Sequence, residues 1–288
     1  MLGKRSGVNK YTRSTGGNIL LVIFFILVGS FMAMPLVYAV VSAFKPMEEL
    51  FIFPPRFFVR RPTLDNFTML VQLASNLWVP FERYLFNSVF VSALATGGHI
   101  LFASMAAYPL AKHKFPGRNL IFSTVMLALL FSPQVTYLPQ YILMAKIGMI
   151  NSYFAMFLPS IAQALGLFLM KQFMEGIPDS TLESARIDGA SEFTIFFKIV
   201  MPQVKPAWLT LVVFAFQEIW RKDMMSFIYD ETLKVLPMVL NQLIQGAGIA
   251  RAGVASAAGL VLLLPPVLIF VLTQSKVIET MSHSGIKG

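Results

Sequence analysis

The chain has 288 residues, 56% of them hydrophobic and 13% charged, with a mean hydropathy of +0.69; a soluble domain would carry roughly 25% charged residues. The apolar residues gather in long runs, which marks a polytopic membrane protein. The absence of cysteine excludes a disulfide scaffold, a Cys-ligated zinc and thiol catalysis. A formal charge of +9 would suit a nucleic-acid binder, but its distribution assigns most of it to membrane topology, and no nucleic-acid partner is expected.

Residues 1–18 form a basic tail with Lys4, Arg5, Lys10 and Arg13 and no acid. The apolar run Ile19–Phe44 that follows is longer than the roughly 7–15-residue core of a signal peptide, so it reads as an uncleaved first span. Five further runs approach the roughly 20 residues needed to cross the hydrocarbon core: Tyr84–Ala111, Asn119–Tyr141, Ser152–Met170, Ala207–Ile228 and Gly253–Gln274. The expected fold class is therefore all-α, with six transmembrane helices over 19–274 and a C-terminal tail at 275–288. The basic tail and the loop bearing Lys112, Lys114 and Arg118 belong in the cytoplasm by the positive-inside rule. Alternation then puts both termini and residues 172–206 on the cytoplasmic side. The 45–83 loop, with bases and acids mixed, falls outside, as does the glycine-bearing 229–252 loop, which composition reads as flexible.

The 172–206 segment is a polar module between apolar runs. Ser180 and Glu183 have capping-box spacing. Gly189 supplies a left-handed helix end, and Ser191 offers a second start. Phe193, Phe196, Phe197 and Val200 follow at i, i+3, i+4, i+7, which predicts a second helix with one buried aromatic face. The first helix is expected to project Ser184, Ala185 and Gly189 beside Glu183, Arg186 and Asp188. Small residues admit close approach and flanking charges fix register, as a docking knob for another protein requires. An ordinary interfacial helix would share this spacing.

Further along, Gln217-Glu218-Ile219-Trp220-Arg221-Lys222-Asp223 interrupts the fifth span. Either the span ends near Trp220 or its outer half lines an aqueous cavity, since intramembrane charges usually face water or protein. Arg221 and Lys222 either meet an anionic group in that cavity or pair with Glu218 and Asp223. His99 and Asn87, in the second span, are further pathway candidates, with intramembrane packing the alternative for the histidine. Pro133, Pro139, Pro265 and Pro266 are expected to kink their helices. The chain has no phosphate-binding G-x-x-x-x-G-K-[ST] loop, and its three histidines lie far apart, so neither ATP hydrolysis nor any catalytic or metal-binding set is expected in this subunit.

Glu183-Ser184-Ala185, Gly189 and Ile199-Val200-Met201-Pro202 together resemble the E-A-A–x3–G–x9–I–x–L–P signature of membrane subunits of binding-protein-dependent ABC importers. Ser184 stands for Ala and Met201 for Leu. Ser42-Ala43-Phe44-Lys45-Pro46, Pro62-Thr63-Leu64-Asp65-Asn66-Phe67, Tyr84-Leu85-Phe86-Asn87-Ser88 and the terminal Gly285-Ile286-Lys287-Gly288 resemble the maltose-type, MalG-like carbohydrate branch. The resemblance implies a type I permease fold in the bacterial cytoplasmic (inner) membrane, surrounded by lipid. It implies a coupling helix seated in a cytoplasmic ATPase dimer that binds ATP and Mg, so that this chain needs no cofactor. Its other implied partners are a second homologous permease, an extracytoplasmic solute-binding protein and a sugar. Members commonly carry Trp-Asn-Asp-like residues where this chain has Arg221 and Lys222, which hints at an acidic, uronate-containing cargo. The signature alone leaves a non-sugar solute open, and without it a self-sufficient channel or secondary transporter would remain.

Overall fold

The computed structural model describes residues 15–222, 224–245 and 251–284, the last ten as backbone only. The described residues are helical or irregular, with no strand among them. Helix α1 (Thr15–Ala43) is uncharged, presents apolar side chains outward along its length and packs along α14 (Ala252–Ser284). Between these, α2 (Met47–Leu50), α3 (Asp65–Ser75), α4 (Phe81–Lys112), α5 (Arg118–Ala128), α6 (Pro133–Lys146), α7 (Tyr153–Ile161) and α8 (Ala164–Glu175) follow in order. Four stretches are long and apolar enough to span unaided: 16–43, 81–112, 153–175 and 252–274. Two sharply bent pairs raise the count to six.

One bent pair corrects the expected third span. Asn119–Tyr141 is not one rod but α5 and α6, turned by 108° to one another. Pro133 lacks an amide donor and pushes Ser132 into extended backbone (ψ 138°), so the helix stops and restarts there. Pro139, Pro265 and Pro266 lie inside continuous helices. The fifth span is also shorter than expected. Helix α12 (Lys205–Arg221) ends seven residues before Ile228, and Met224, Phe227 and Ile228 fold back into the interior as irregular chain.

Helix α4 organises the protein. Its buried stripe includes Ser88, Ser92, Ala95, His99, Ala103, Ala107 and Ala111, mostly small residues that let α7, α8, α12 and α13 (Leu236–Gln245) approach closely. Three apolar clusters lie along it. Near its start, Tyr84 packs with α3, α13 and α14. Midway, Val91 and Ala95 meet Ala155 and Met156 of α7, with Phe227 and Ile228. At its end, Ala107, Tyr108 and Ala111 meet Met170 and Met174 of α8 and the polar module. The break between α7 and α8 thus falls between two clusters. His99, 1% exposed, closes it: Nδ1 lies 2.9 Å from the Ile161 carbonyl.

Motifs that are distant in sequence meet at the other end. The buried Asn66 amide donates to the carbonyls of Ala43 (2.9 Å) and Lys45 (2.8 Å), tying α3 to the end of α1. Glu49 accepts the backbone N–H groups of Arg60 and Arg61. Asn87 donates to the carbonyls of Thr232 and Lys234, both at 2.9 Å, and Ser88 accepts from Leu236 N–H at 2.6 Å. These bonds correct the reading of 229–252 as simply flexible. A 3₁₀ turn (Glu231–Leu233) and α13 occupy much of it, and Leu236–Leu240 are buried. Gly246 and Gly248 lie outside the described residues.

Candidate functional site: the coupling module and a cavity beside α12

The module begins at α9 (Asp179–Ile187), whose N-cap is Pro178. The expected Ser180–Glu183 capping box does not form. Ser180 already lies inside the first turn, and its carbonyl accepts from the Ser184 hydroxyl at 2.9 Å. Instead Lys112, at the end of α4, reaches the N-terminus, where its ammonium donates to Asp179 at 2.8 Å and to the Ile177 carbonyl. That hydrogen bond and charge hold the Asp179 carboxyl below the usual carboxylate range.

The glycine corner forms as read. Gly189 has φ +81°, its N–H donates to Arg186 O and Ala190 N–H donates to Ala185 O, each at 3.0 Å. This is a Schellman closure, which needs a left-handed residue at that position. Ser191 then caps α10 (Glu192–Thr194) by accepting from Thr194 N–H. The next turn departs from expectation. Residues Ile195–Val200 are π-helical, leading to α11 (Met201–Gln203), and the segment is bent by 77° from α12. The wider turn replaces the i, i+3, i+4, i+7 face by Ile195, Phe196 and Val200, all buried. Phe193 and Phe197 face outward instead.

At the tip, Glu183, Ser184, Arg186, Asp188 and Gly189 are exposed. Ala185 is the exception: 9% exposed, it points inward with Leu182 against Met170, Met174 and Ala107. It therefore fixes α9 to the bundle and does not project from it. Sequence reasoning missed Ile187, 86% exposed at the outermost turn. It also missed the polar lock behind the corner. Glu192 accepts from Arg186 Nε and from the Tyr108 hydroxyl, both at 2.8 Å, with His113 Nε2 at 3.8 Å. Arg186 is the main reason the Glu192 carboxyl titrates below its ordinary value. Lys112 and His113 were legible only as loop charge; nothing local in sequence pairs them with 175–192.

The pathway candidates are not gathered in one place. Asn87 is fully buried and engaged with 232–234 and the Tyr153 hydroxyl. His99 sits at the α4–α8 crossing, against Gly166. Trp220 is buried, its Nε1 donating to the Leu262 carbonyl at 3.0 Å and its ring stacked on Phe216 at 5.4 Å. Arg221 lines a cavity of about 630 Å³ between α12, α13 and α14, whereas Lys222 borders a separate pocket of about 20 Å³ beside Ser88, Ser92 and Ser160. Glu218 is exposed. Neither cation forms an ion pair with a described residue, and Asp223 lies outside the described residues.

A helical bundle with a rigidly mounted polar corner at one end and a half-open cavity beside α12 is the architecture of a membrane transport subunit. The chain belongs to the family of binding-protein-dependent transport system inner membrane components, whose sequence profile matches residues 99–275, more than half of its length. It is 30% identical over 277 residues to the arabinooligosaccharides transport system permease protein AraQ of Halalkalibacterium halodurans, covering 93% of this chain and 96% of that protein. It is 35% identical over 205 residues to the sn-glycerol-3-phosphate transport system permease protein UgpE of Pectobacterium atrosepticum, covering 70% and 73%. Among solved structures, a chain of a bacterial ABC transporter involved in import of the acidic polysaccharide alginate shares the fold, with a TM-score of 0.74 at 19% identity and coverage of 92% and 98%.

Proposed function

We propose that this chain forms half of the translocation pathway of an ABC importer for a sugar or oligosaccharide, with a second homologous permease completing the pathway. A cytoplasmic ATPase dimer, which would bind ATP and Mg, docks on the α9 tip, and an extracytoplasmic binding protein delivers the cargo. Both termini and the module face the cytoplasm, in keeping with the basic charges at 4–13 and 112–118. The observation that carries this reading is the α9–Gly189 corner. Its outer face offers Ile187 among charges, while on its inner side Ala185 and Leu182 are buried in the cluster shared with α4 and α8, and Glu192 binds Tyr108 of α4 and Arg186. A push on the tip would pass to the end of α4 through the Tyr108–Glu192 and Lys112–Asp179 bonds. The arabinooligosaccharide and alginate relatives favour a sugar; the glycerol-3-phosphate relative keeps a small anionic solute as the second reading.

The test is co-purification in mild detergent, comparing wild type with Gly189→Asp, followed by solute binding to the captured binding protein. Recovery of an ATPase, a second permease and a binding protein is expected, with the ATPase alone lost from the variant. Wild-type protein that comes down alone and transports without ATP would overturn the reading.

A further inference from the structure

The cavity beside α12 has a composition that the coupling role does not use. Gln217 and Arg221 stand four residues apart on α12 and share its wall, and Asn241 faces them from α13. None of the three makes a side-chain hydrogen bond or ion pair with any described residue. Trp220 and Phe270 supply flat apolar wall, and Trp220 is held in place by its Leu262 bond and its stack on Phe216. A guanidinium and two amides, uncommitted among the described residues, beside a fixed aromatic ring make a set for a ligand with one carboxylate, several hydroxyls and an apolar ring face. The volume of about 630 Å³ falls within the roughly 300–1,000 Å³ of small-ligand pockets.

We propose that Arg221, Gln217 and Asn241 form a subsite for one carboxylated sugar unit of the passing oligosaccharide. Arg221 binds the carboxylate through its planar fork of donors. Gln217 and Asn241 exchange hydrogen bonds with ring hydroxyls, and Trp220 sets the depth of the sugar ring. Lys222 takes no part, because it borders the other, much smaller pocket. The cavity is open on one side, where a second permease would close it. This inference rests on the sugar-importer reading above and adds where, and for which charge, the permease itself selects.

The test uses the assembled transporter in liposomes with its own binding protein. Its probes are a uronate trisaccharide and the same trisaccharide with its carboxyls reduced to alcohols. Uptake of each is measured for wild type, Arg221→Gln, Arg221→Lys and Asn241→Ala, and the binding protein's affinity for both sugars is measured separately. We expect wild type to favour the uronate. The uronate-to-reduced uptake ratio should fall about 10- to 100-fold in Arg221→Gln, the loss typical of a charge-assisted hydrogen bond. Arg221→Lys should restore part of it, and Asn241→Ala should slow both sugars. Binding-protein affinity lies in another chain and cannot move, so a changed ratio locates the selection in this subunit; a ratio also cancels any loss of assembled protein. An Arg221→Gln ratio equal to wild type overturns the subsite while leaving the sugar importer standing. If neither trisaccharide is bound or carried and glycerol phosphate is, the sugar reading and the subsite fall together.

Discussion

Replacing Gly166 by alanine tests the packing at the helix break most directly. A Cβ there would lie 2.2 Å from His99 Nε2, 2.5 Å from its Cε1 and 3.2 Å from the Ala103 Cβ. His99 cannot step aside freely, because swinging the ring away surrenders the Nδ1 contact to Ile161 O, which satisfies a carbonyl at the end of α7. Overpacking of this kind costs about 1–3 kcal/mol, and an abandoned buried carbonyl about the same. Alanine returns up to about 1 kcal/mol in helix propensity, so Gly166→Ala should destabilise by about 1–5 kcal/mol net, the low end if the ring stays and the high end if it swings away. His99→Ala alone opens a cavity and orphans the carbonyl, for about 2–4 kcal/mol. In the double variant the new methyl enters space vacated by the ring, so the two losses should fall short of additivity by about 1–3 kcal/mol. Thermal unfolding in one detergent at a fixed scan rate, on all four proteins, measures this coupling. Additivity within about 0.5 kcal/mol would refute the contact. Uptake separates the roles of the histidine: a stable double variant that transports normally makes His99 a packing residue, and one that is stable but inactive returns it to the pathway.

At the coupling corner, the Gly189 Cβ position meets no atom of the described residues, so the positive φ is what opposes substitution. Gly189→Ala should cost about 1–2 kcal/mol and weaken ATPase capture roughly 5- to 30-fold, while Gly189→Asn, which tolerates the left-handed region, should retain most of it in a pull-down titration. At the far end, Gly253→Ala would drive a methyl to 2.1 Å from Asn66 Oδ1, within the amide that ties α3 to α1. A loss of about 2–4 kcal/mol and easier proteolysis between residues 45 and 64 are expected, and an unchanged digestion pattern would count against the anchor. Glu192 titrates below its ordinary value because Arg186 bonds its charged form. Its contribution is therefore present above the usual carboxylate range and is lost as pH falls through the lowered value. The pair is half exposed, so less than about 1 kcal/mol is at stake; Glu192→Gln should remove that acid-side slope from detergent melting curves, and an unaltered slope would assign it elsewhere.

Much of this protein is written locally in its chain. Long apolar runs announce membrane helices because their backbone must satisfy its own hydrogen bonds in hydrocarbon, and Gly189 announces its corner because a left-handed turn disfavours most side chains. Ser191 marks a helix start for the same short-range reason. Tertiary structure decided the rest. The capping box at Ser180 does not form because the helix starts one residue earlier, at Asp179 after Pro178, which puts Ser180 inside the first turn; Asp179 is tied to Lys112, 67 residues earlier in the chain. The aromatic face at 193–200 shifted because a π turn changes the period that a pattern of fours and threes assumes. Ala185 turned inward because α8 and α4 lie beneath it. Arg221 and Lys222, neighbours in sequence, look into different cavities because the helix ends between them. Periodicity and special backbone angles are properties of a few consecutive residues and survive in one dimension. Which charge finds a partner, and which wall it faces, depends on helices that meet only once the chain has packed.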